Sequence, residues 1–189
     1  MSKVILMGPP GVGKGTQART LSMSLSIPAI STGDMFRRQI AKRTPLGLKL
    51  QSIIESGEYV PDEITTAVLT ERLKAPDASN GFILDGYPRT LAQVHDLDEI
   101  LAKKSQVIDH VLLLQADRAT LLARLSSRAL IGNRSDDTPD VIERRLDIYD
   151  RETAHIVQAY SERGLVTEVD GEGTPDRVAE QLKKAIGHG

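Results

Sequence analysis

The short run Lys3–Met7, apolar except for its lysine, leads directly into Gly8-Pro9-Pro10-Gly11-Val12-Gly13-Lys14-Gly15-Thr16, and a helical pattern follows. Buried strand, glycine loop, lysine and helix in that order constrain the fold more than any other feature of the chain. The spacing of Gly8, Gly13 and Lys14 fits a phosphate-binding loop. Its glycines let backbone N–H groups turn inward around an anion, and the helix N-terminus adds a favourable dipole. Gly11, Val12, Gly13, Lys14, Gly15 and Thr16 form the cradle, with Lys14 bridging the terminal phosphates. The strict pattern has Ser or Thr directly after the lysine. Here that place is Gly15, which leaves the Thr16 hydroxyl, one residue on, as a candidate metal ligand.

Short apolar runs alternate with helical patterns along the rest of the chain. Lys3–Met7, Phe82–Leu84, Ile108–Leu114 and Leu165–Val169 read as buried strands, with a shorter one at Pro28–Ile30. The alternation predicts an α/β fold, a five-stranded parallel sheet with helices on both faces. Ligands in such folds sit beyond the carboxyl ends of the strands. Two stretches interrupt the pattern. Three helical segments separate residue 30 from Phe82, which predicts an inserted helical lobe at 31–60. Residues 128–138, rich in Gly, Asn, Ser and Asp, predict a mobile cover. The core is then 1–30, 61–127 and 139–189, within one domain of 189 residues.

Composition narrows the chemistry. A net charge of −2 gives no bulk attraction to nucleic acid or anionic membrane, and 3% aromatic residues offer no stacking platform. No cysteine is present, so disulfides, thiolate metal sites and cysteine nucleophiles are excluded. The N-terminal apolar run is too short for a signal peptide or membrane span, and the expected location is the cytoplasm. Arg outnumbers Lys by 15 to 9, a bias suited to forked recognition of phosphate oxygens. His95, His110, His155 and His188 match no ligand spacing.

Beyond the loop, Gly81-Phe82-Ile83-Leu84-Asp85-Gly86-Tyr87-Pro88-Arg89-Thr90 reads as a buried strand ending in an acid, then a tight turn presenting an arginine. Asp85 is placed to hold a water of a Mg²⁺ shell, since Mg²⁺ keeps several waters and favours carboxylate and phosphate oxygens. In Ser31-Thr32-Gly33-Asp34-Met35-Phe36-Arg37, Thr32 is a candidate N-cap, with Arg37 about a turn into the helix. On spacing alone a capped surface helix is the favoured reading of that segment. Ser56-Gly57-Glu58-Tyr59-Val60-Pro61-Asp62 is by itself only a turn. Arg124 and Arg128 share a helix face beside Leu121, Leu122 and Leu125. The next helix opens at Thr138-Pro139, and Ile142, Leu146, Tyr149, Ile156 and Tyr160 form its apolar stripe. Arg145 flanks that stripe; Arg144 points nearly opposite it, toward solvent.

The run Gly8 to Gln17, with glycine after the lysine, resembles the nucleoside monophosphate kinases of the adenylate kinase family. The segments at 31–37, 56–62 and 81–90 resemble that family's motifs in turn, and the resemblance covers essentially the whole chain. It implies a phosphate-loop nucleoside-triphosphatase-like, three-layer fold and reversible phosphoryl transfer from MgATP to AMP, giving ADP. It assigns ATP to the loop residues with Arg124, Arg128 and Gly173. It assigns AMP to Thr32, Arg37, Glu58, Tyr59, Val60, Gly86, Tyr87, Pro88, Arg89, Gln93, Arg134 and Arg145, with Gln93 reading the adenine. Lys14, Arg89, Arg128, Arg134 and Arg145 are the catalytic candidates, Arg134 lying in the cover. The cover resembles the family's short form, which implies no zinc, and the resemblance also implies a monomer. A UMP/CMP kinase on the same scaffold is the nearest rival, against which Thr32 and Thr90 stand. A nucleotide-regulated switch is a second, but it leaves the AMP-site segments unexplained.

Overall fold

In the computed structural model, which describes residues 2–132 and 138–187, five strands form one sheet in which every neighbouring pair is parallel. They are β1 (Lys3–Met7), β2 (Ala29–Ser31), β3 (Phe82–Asp85), β4 (His110–Gln115) and β5 (Val166–Asp170), in the spatial order β2-β3-β1-β4-β5. Helices connect them: α1 (Lys14–Leu25), α2 (Thr32–Ala41), α3 (Pro45–Glu55), α4 (Asp62–Arg72), α5 (Leu91–Ala102), α6 (Arg118–Gly132), α7 (Pro139–Ser161) and α8 (Pro175–Ala185).

The two-residue period of the strands divides the core. Val4, Leu6, Ile83, Leu112 and Leu114 join a cluster with Leu21 of α1, Leu121 of α6 and Leu182 of α8. Ile5, Phe82, Leu84, Val111 and Leu113 point the other way, into a cluster with Leu69 of α4 and Leu97 of α5. A parallel sheet buried on both faces needs such unbroken apolar runs, and the central strands have them. Helix α7 serves both faces: Ile142 and Leu146 pack in the first cluster, Ile156 and Tyr160 in the second. A third, smaller cluster of Phe36, Leu50 and Val60 is made among α2, α3 and the turn before α4.

Several boundaries differ from expectation, each for a local reason. Strand β2 is shifted by one residue from Pro28–Ile30, because Pro28 has no N–H to give the ladder; its carbonyl still accepts from Ile83 N. Strand β4 starts at His110, two residues late: Asp109 N already donates to Lys3 O of β1 at 3.0 Å, but the Lys3 N–H is taken by the Asp109 carboxylate at 2.7 Å. The cap of α2 is Ser31, whose hydroxyl accepts from Asp34 N, and Thr32 is the first helical residue. Thr138 and Pro139 open α7 as expected. Of the predicted cover, residues 133–137 lie outside the described residues, Arg134 among them; residues 128–132 continue α6.

Candidate active site

The chain leaves the carboxyl edge of the sheet after each strand, and there the side chains singled out in the sequence converge on a cleft of about 660 Å³. Its floor is the loop after β1. Gly11 has a φ of +87° and Gly13, which caps α1, a φ of +105°. A Cβ on Gly11 would stand 2.8 Å from Leu125 Cγ, so glycine there lets the loop lie close against α6. Lys14 begins α1, and its Nζ donates to the carbonyls of Gly8 at 2.6 Å and Pro9 at 2.9 Å. Desolvation by burial lowers its pKa to about 8; the nearby Asp85 carboxylate works against that shift, while Arg89, Arg145 and Arg128 add to it. Gly15 sits beside Asp85, 3.7 Å separating a Cβ built there from Asp85 Oδ2.

One wall joins the loop after β5 to helix α6. Arg124 Nη1 donates to Gly171 O at 2.8 Å and Val12 O at 3.3 Å, tying that loop to the phosphate loop. Asp117 N donates to Glu172 Oε1 at 2.6 Å at the same seam. Gly173, Arg124, Arg128 and Arg145 all line the cleft with Thr16. Arginines drawn from the turn after β3 and from α6 and α7 thus surround one lysine, with Asp85 among them. Same-sign charge gathered in a concave site focuses a field that attracts polyanions, although the chain as a whole is slightly negative.

The opposite wall holds a side pocket of about 60 Å³, lined by Thr32, Arg37, Glu58, Tyr59, Val60, Gly86, Arg89, Gln93 and Arg145. Thr32 Oγ1 and Arg89 Nε both donate to Gly86 O at 2.9 Å. The Arg89 guanidinium lies over the Tyr59 ring, 4.9 Å from its centroid, a favourable cation–π contact. Burial raises the Tyr59 phenol above its ordinary pKa. Tyr87 and Pro88 reach the margin of the main cleft. The Tyr87 ring is buried, and its hydroxyl bonds Thr66 Oγ1 at 2.9 Å and Gln93 O at 3.1 Å, pinning α4 to α5. Burial pushes that phenol up to about 12. Gln93 is 1% exposed, with both ends of its amide bonded.

Arg145 lines both cavities, as the stripe predicted, and Arg144 is exposed. Arg144 is nevertheless not simply solvated: it is ion-paired to Glu58, a long-range contact that helix periodicity cannot reveal. Arg37 pairs with Asp34 at 2.5 Å on its own helix. Sequence reasoning missed Asp62, which with Thr90 holds Gln93, and also Arg38, Tyr149 and Thr153, which line the cleft. The available signal for Asp62 was an acid in the first turn of a helix, directly after Pro61. Among the described residues no helix is long and apolar enough to cross a membrane, and no three His, Asp or Glu side chains gather as a metal cage.

The arrangement fits two phosphate-bearing ligands held end to end by cations. The adenylate kinase family model matches residues 6–165. An adenylate kinase of Kocuria rhizophila is 49% identical over 186 residues, 98% of this chain and 99% of that protein. Those of Clavibacter michiganensis and Micrococcus luteus are 47% and 48% identical over 98% of this chain, covering 93% and 91% of their own lengths.

Proposed function

The chain belongs to the adenylate kinase family and interconverts ATP plus AMP with two ADP, and we propose that the cleft's arginines and Lys14 carry that reaction in the following roles. The phosphate loop and Lys14 take the ATP phosphates, Arg124 faces the ATP base beside Gly173, and Arg128 reaches the phosphate chain. The side pocket takes AMP: Arg37 and Arg89 meet its phosphate, Thr32, Gly86, Tyr87 and Pro88 shape its wall, and Gln93 reads its base. Glu58, Tyr59 and Val60 close that pocket from the turn after α3. Arg145, shared by both cavities, is then placed at the transferring phosphoryl group, and this shared position is the observation that carries the reading.

Phosphoryl transfer needs little more than alignment and neutralisation of charge on the migrating group. Fixed guanidinium groups supply both, and no covalent intermediate on the protein is needed. The Asp85 carboxylate and the Thr16 hydroxyl are hard oxygen donors in the same cleft, and they suit Mg²⁺, a cation bound mainly through phosphate and water oxygens. Bound there with ATP, Mg²⁺ would neutralise phosphate charge. Water must be kept out, or ATP would be hydrolysed. We assign residues 31–60, with the small apolar cluster of their own, to an AMP-binding lobe and residues 128–138, with Arg134, to a short lid. The working form is a cytoplasmic monomer.

A coupled assay with ATP against AMP, CMP, UMP and GMP tests the acceptor assignment. AMP is expected to lead by at least about tenfold in kcat/KM, a difference of about 1.4 kcal/mol. Equal or better turnover of CMP or UMP overturns it.

A further inference from the structure

We propose that Asp62 is a positioning residue that locks the Gln93 amide in one of its two orientations, and so sets the preference for a 6-amino over a 6-oxo purine in the acceptor nucleotide. The proposal rests on the reading of Gln93 as facing the AMP base. Gln93 Nε2 donates to Asp62 Oδ1 at 2.6 Å, and Gln93 Oε1 accepts from Arg89 N at 2.7 Å. A carboxylate only accepts and a backbone N–H only donates, so the two ends of the amide are not interchangeable. Turning the side chain by half a revolution would set oxygen against carboxylate and N–H against N–H.

Asp62 is itself held. Its second oxygen accepts from Thr90 Oγ1 at 2.8 Å, and Thr90 caps α5 by accepting from Gln93 N at 3.2 Å. The first turns of α4 and α5 are thereby joined into one polar unit around a side chain that is 1% exposed. Each end of the Gln93 amide keeps one further valence, an N–H at one end and a lone pair at the other. Their order is fixed by the lock. A 6-amino purine presents a donor at position 6; a 6-oxo purine presents an acceptor at the same place. An amide free to turn satisfies either, whereas a locked one matches only one. A buried polar group left facing the wrong partner discriminates strongly.

Asp62 also stands at a helix N-terminus, where any acid is favourable through its charge alone. Three variants separate the two roles. Asp62→Leu keeps the shape but removes the acceptor, with Asp62→Ala as the less bulky alternative if Leu impairs folding. Asp62→Asn removes the charge yet keeps an oxygen for Gln93 Nε2 and offers an N–H to Thr90 Oγ1. Gln93→Leu removes the reader itself. kcat and KM for AMP and for IMP, at saturating MgATP, are the readout. Asp62→Leu is expected to lower the AMP-to-IMP ratio of kcat/KM by about tenfold, mainly through KM. Asp62→Asn is expected to keep the ratio within a factor of about three. Equal losses in Asn and Leu, or an unchanged ratio in a folded Leu or Ala variant, overturn the lock. If Gln93→Leu abolishes the ratio while Asp62→Leu spares it, the lock alone fails. If Gln93→Leu leaves the ratio intact, the reading of Gln93 fails and the lock with it.

Discussion

Arg144 reaches from α7 to the Glu58 carboxylate in the turn after α3, while Arg145, one residue on, lines the cleft. Adjacent arginines therefore do different work. A Cβ on Gly57 would come 2.9 Å from Val141 Cγ1 and 3.1 Å from Arg145 Cγ, so this turn and α7 are closely apposed. The Arg144–Glu58 pair is about half exposed on each side, and an ion pair so placed contributes about 0–1 kcal/mol. Arg144→Ala is accordingly expected to change kcat by less than a factor of a few and to leave melting nearly unmoved. Arg145→Ala is expected to lower kcat by about tenfold for each 1.4 kcal/mol of lost transition-state stabilisation. Turnover at saturating ATP and AMP, in variants first checked for folding, decides. A crippled Arg144→Ala beside a normal Arg145→Ala reverses the assignment.

Lys14 carries a pKa of about 8 in the cleft, chiefly through desolvation. Phosphates placed against its Nζ favour the charged form and raise that value. The sign follows: at about pH 8.5 the ligand-free lysine is mostly neutral and the bound one charged, so ATP binding takes up protons. Near pH 6 both states are charged and the uptake vanishes. Affinity for ATP should fall as pH rises through about 8. Calorimetry in two buffers of different ionisation enthalpy measures the uptake, and Lys14→Met should abolish it. The same variant should lose about 10²–10³ in kcat with its circular dichroism intact. A folded Lys14→Met with near-normal turnover contradicts the role given to this ammonium.

Activity is expected to require Mg²⁺ and to withstand a zinc-selective chelator, because residues 128–138 contain neither Cys nor His. Melting curves and turnover before and after chelation check this. Loss of the fold on removing zinc alone would overturn the reading of the cover.

What could be read from the sequence was whatever local chemistry determines. The strands showed because both faces of the sheet are buried, which leaves apolar runs such as Val111–Leu114 with no polar interruption. The phosphate loop showed because its glycines answer to backbone geometry, and Arg145 because one helix period fixes its side. Pairing across the fold left no such trace. Nothing in the periodicity of α7 brings Glu58, 86 residues away, to Arg144. Asp62 and Gln93, 31 residues apart, meet only because α4 and α5 pack side by side. The cap of α2 fell to Ser31 rather than Thr32 for a similar reason: Thr32 Oγ1 is drawn to Gly86 O on the neighbouring turn.

Gly86 offers a test of the acceptor wall that does not depend on removing charge. Its φ is +82°, and a Cβ there would stand 2.9 Å from Arg89 Nη2 and 3.1 Å from Thr32 Oγ1. Gly86→Ala thus adds two effects, backbone strain of about 1–3 kcal/mol and displacement of the guanidinium end of Arg89. Gly164 provides the control, since its φ is +70° and nothing lies within 4 Å of a Cβ built on it. Gly164→Ala carries the strain alone. Both variants should melt earlier, Gly86→Ala by at least as much as Gly164→Ala. Only Gly86→Ala should raise KM for AMP, by about tenfold if roughly 1.4 kcal/mol of phosphate contact is lost, with KM for ATP little changed. A displaced Arg89 also leaves its bond to Gly86 O and its place over Tyr59, so the loss should persist at low temperature, where strain alone leaves the folded population intact. Identical kinetics in the two alanine variants would show that Arg89 does not meet the AMP phosphate from this turn.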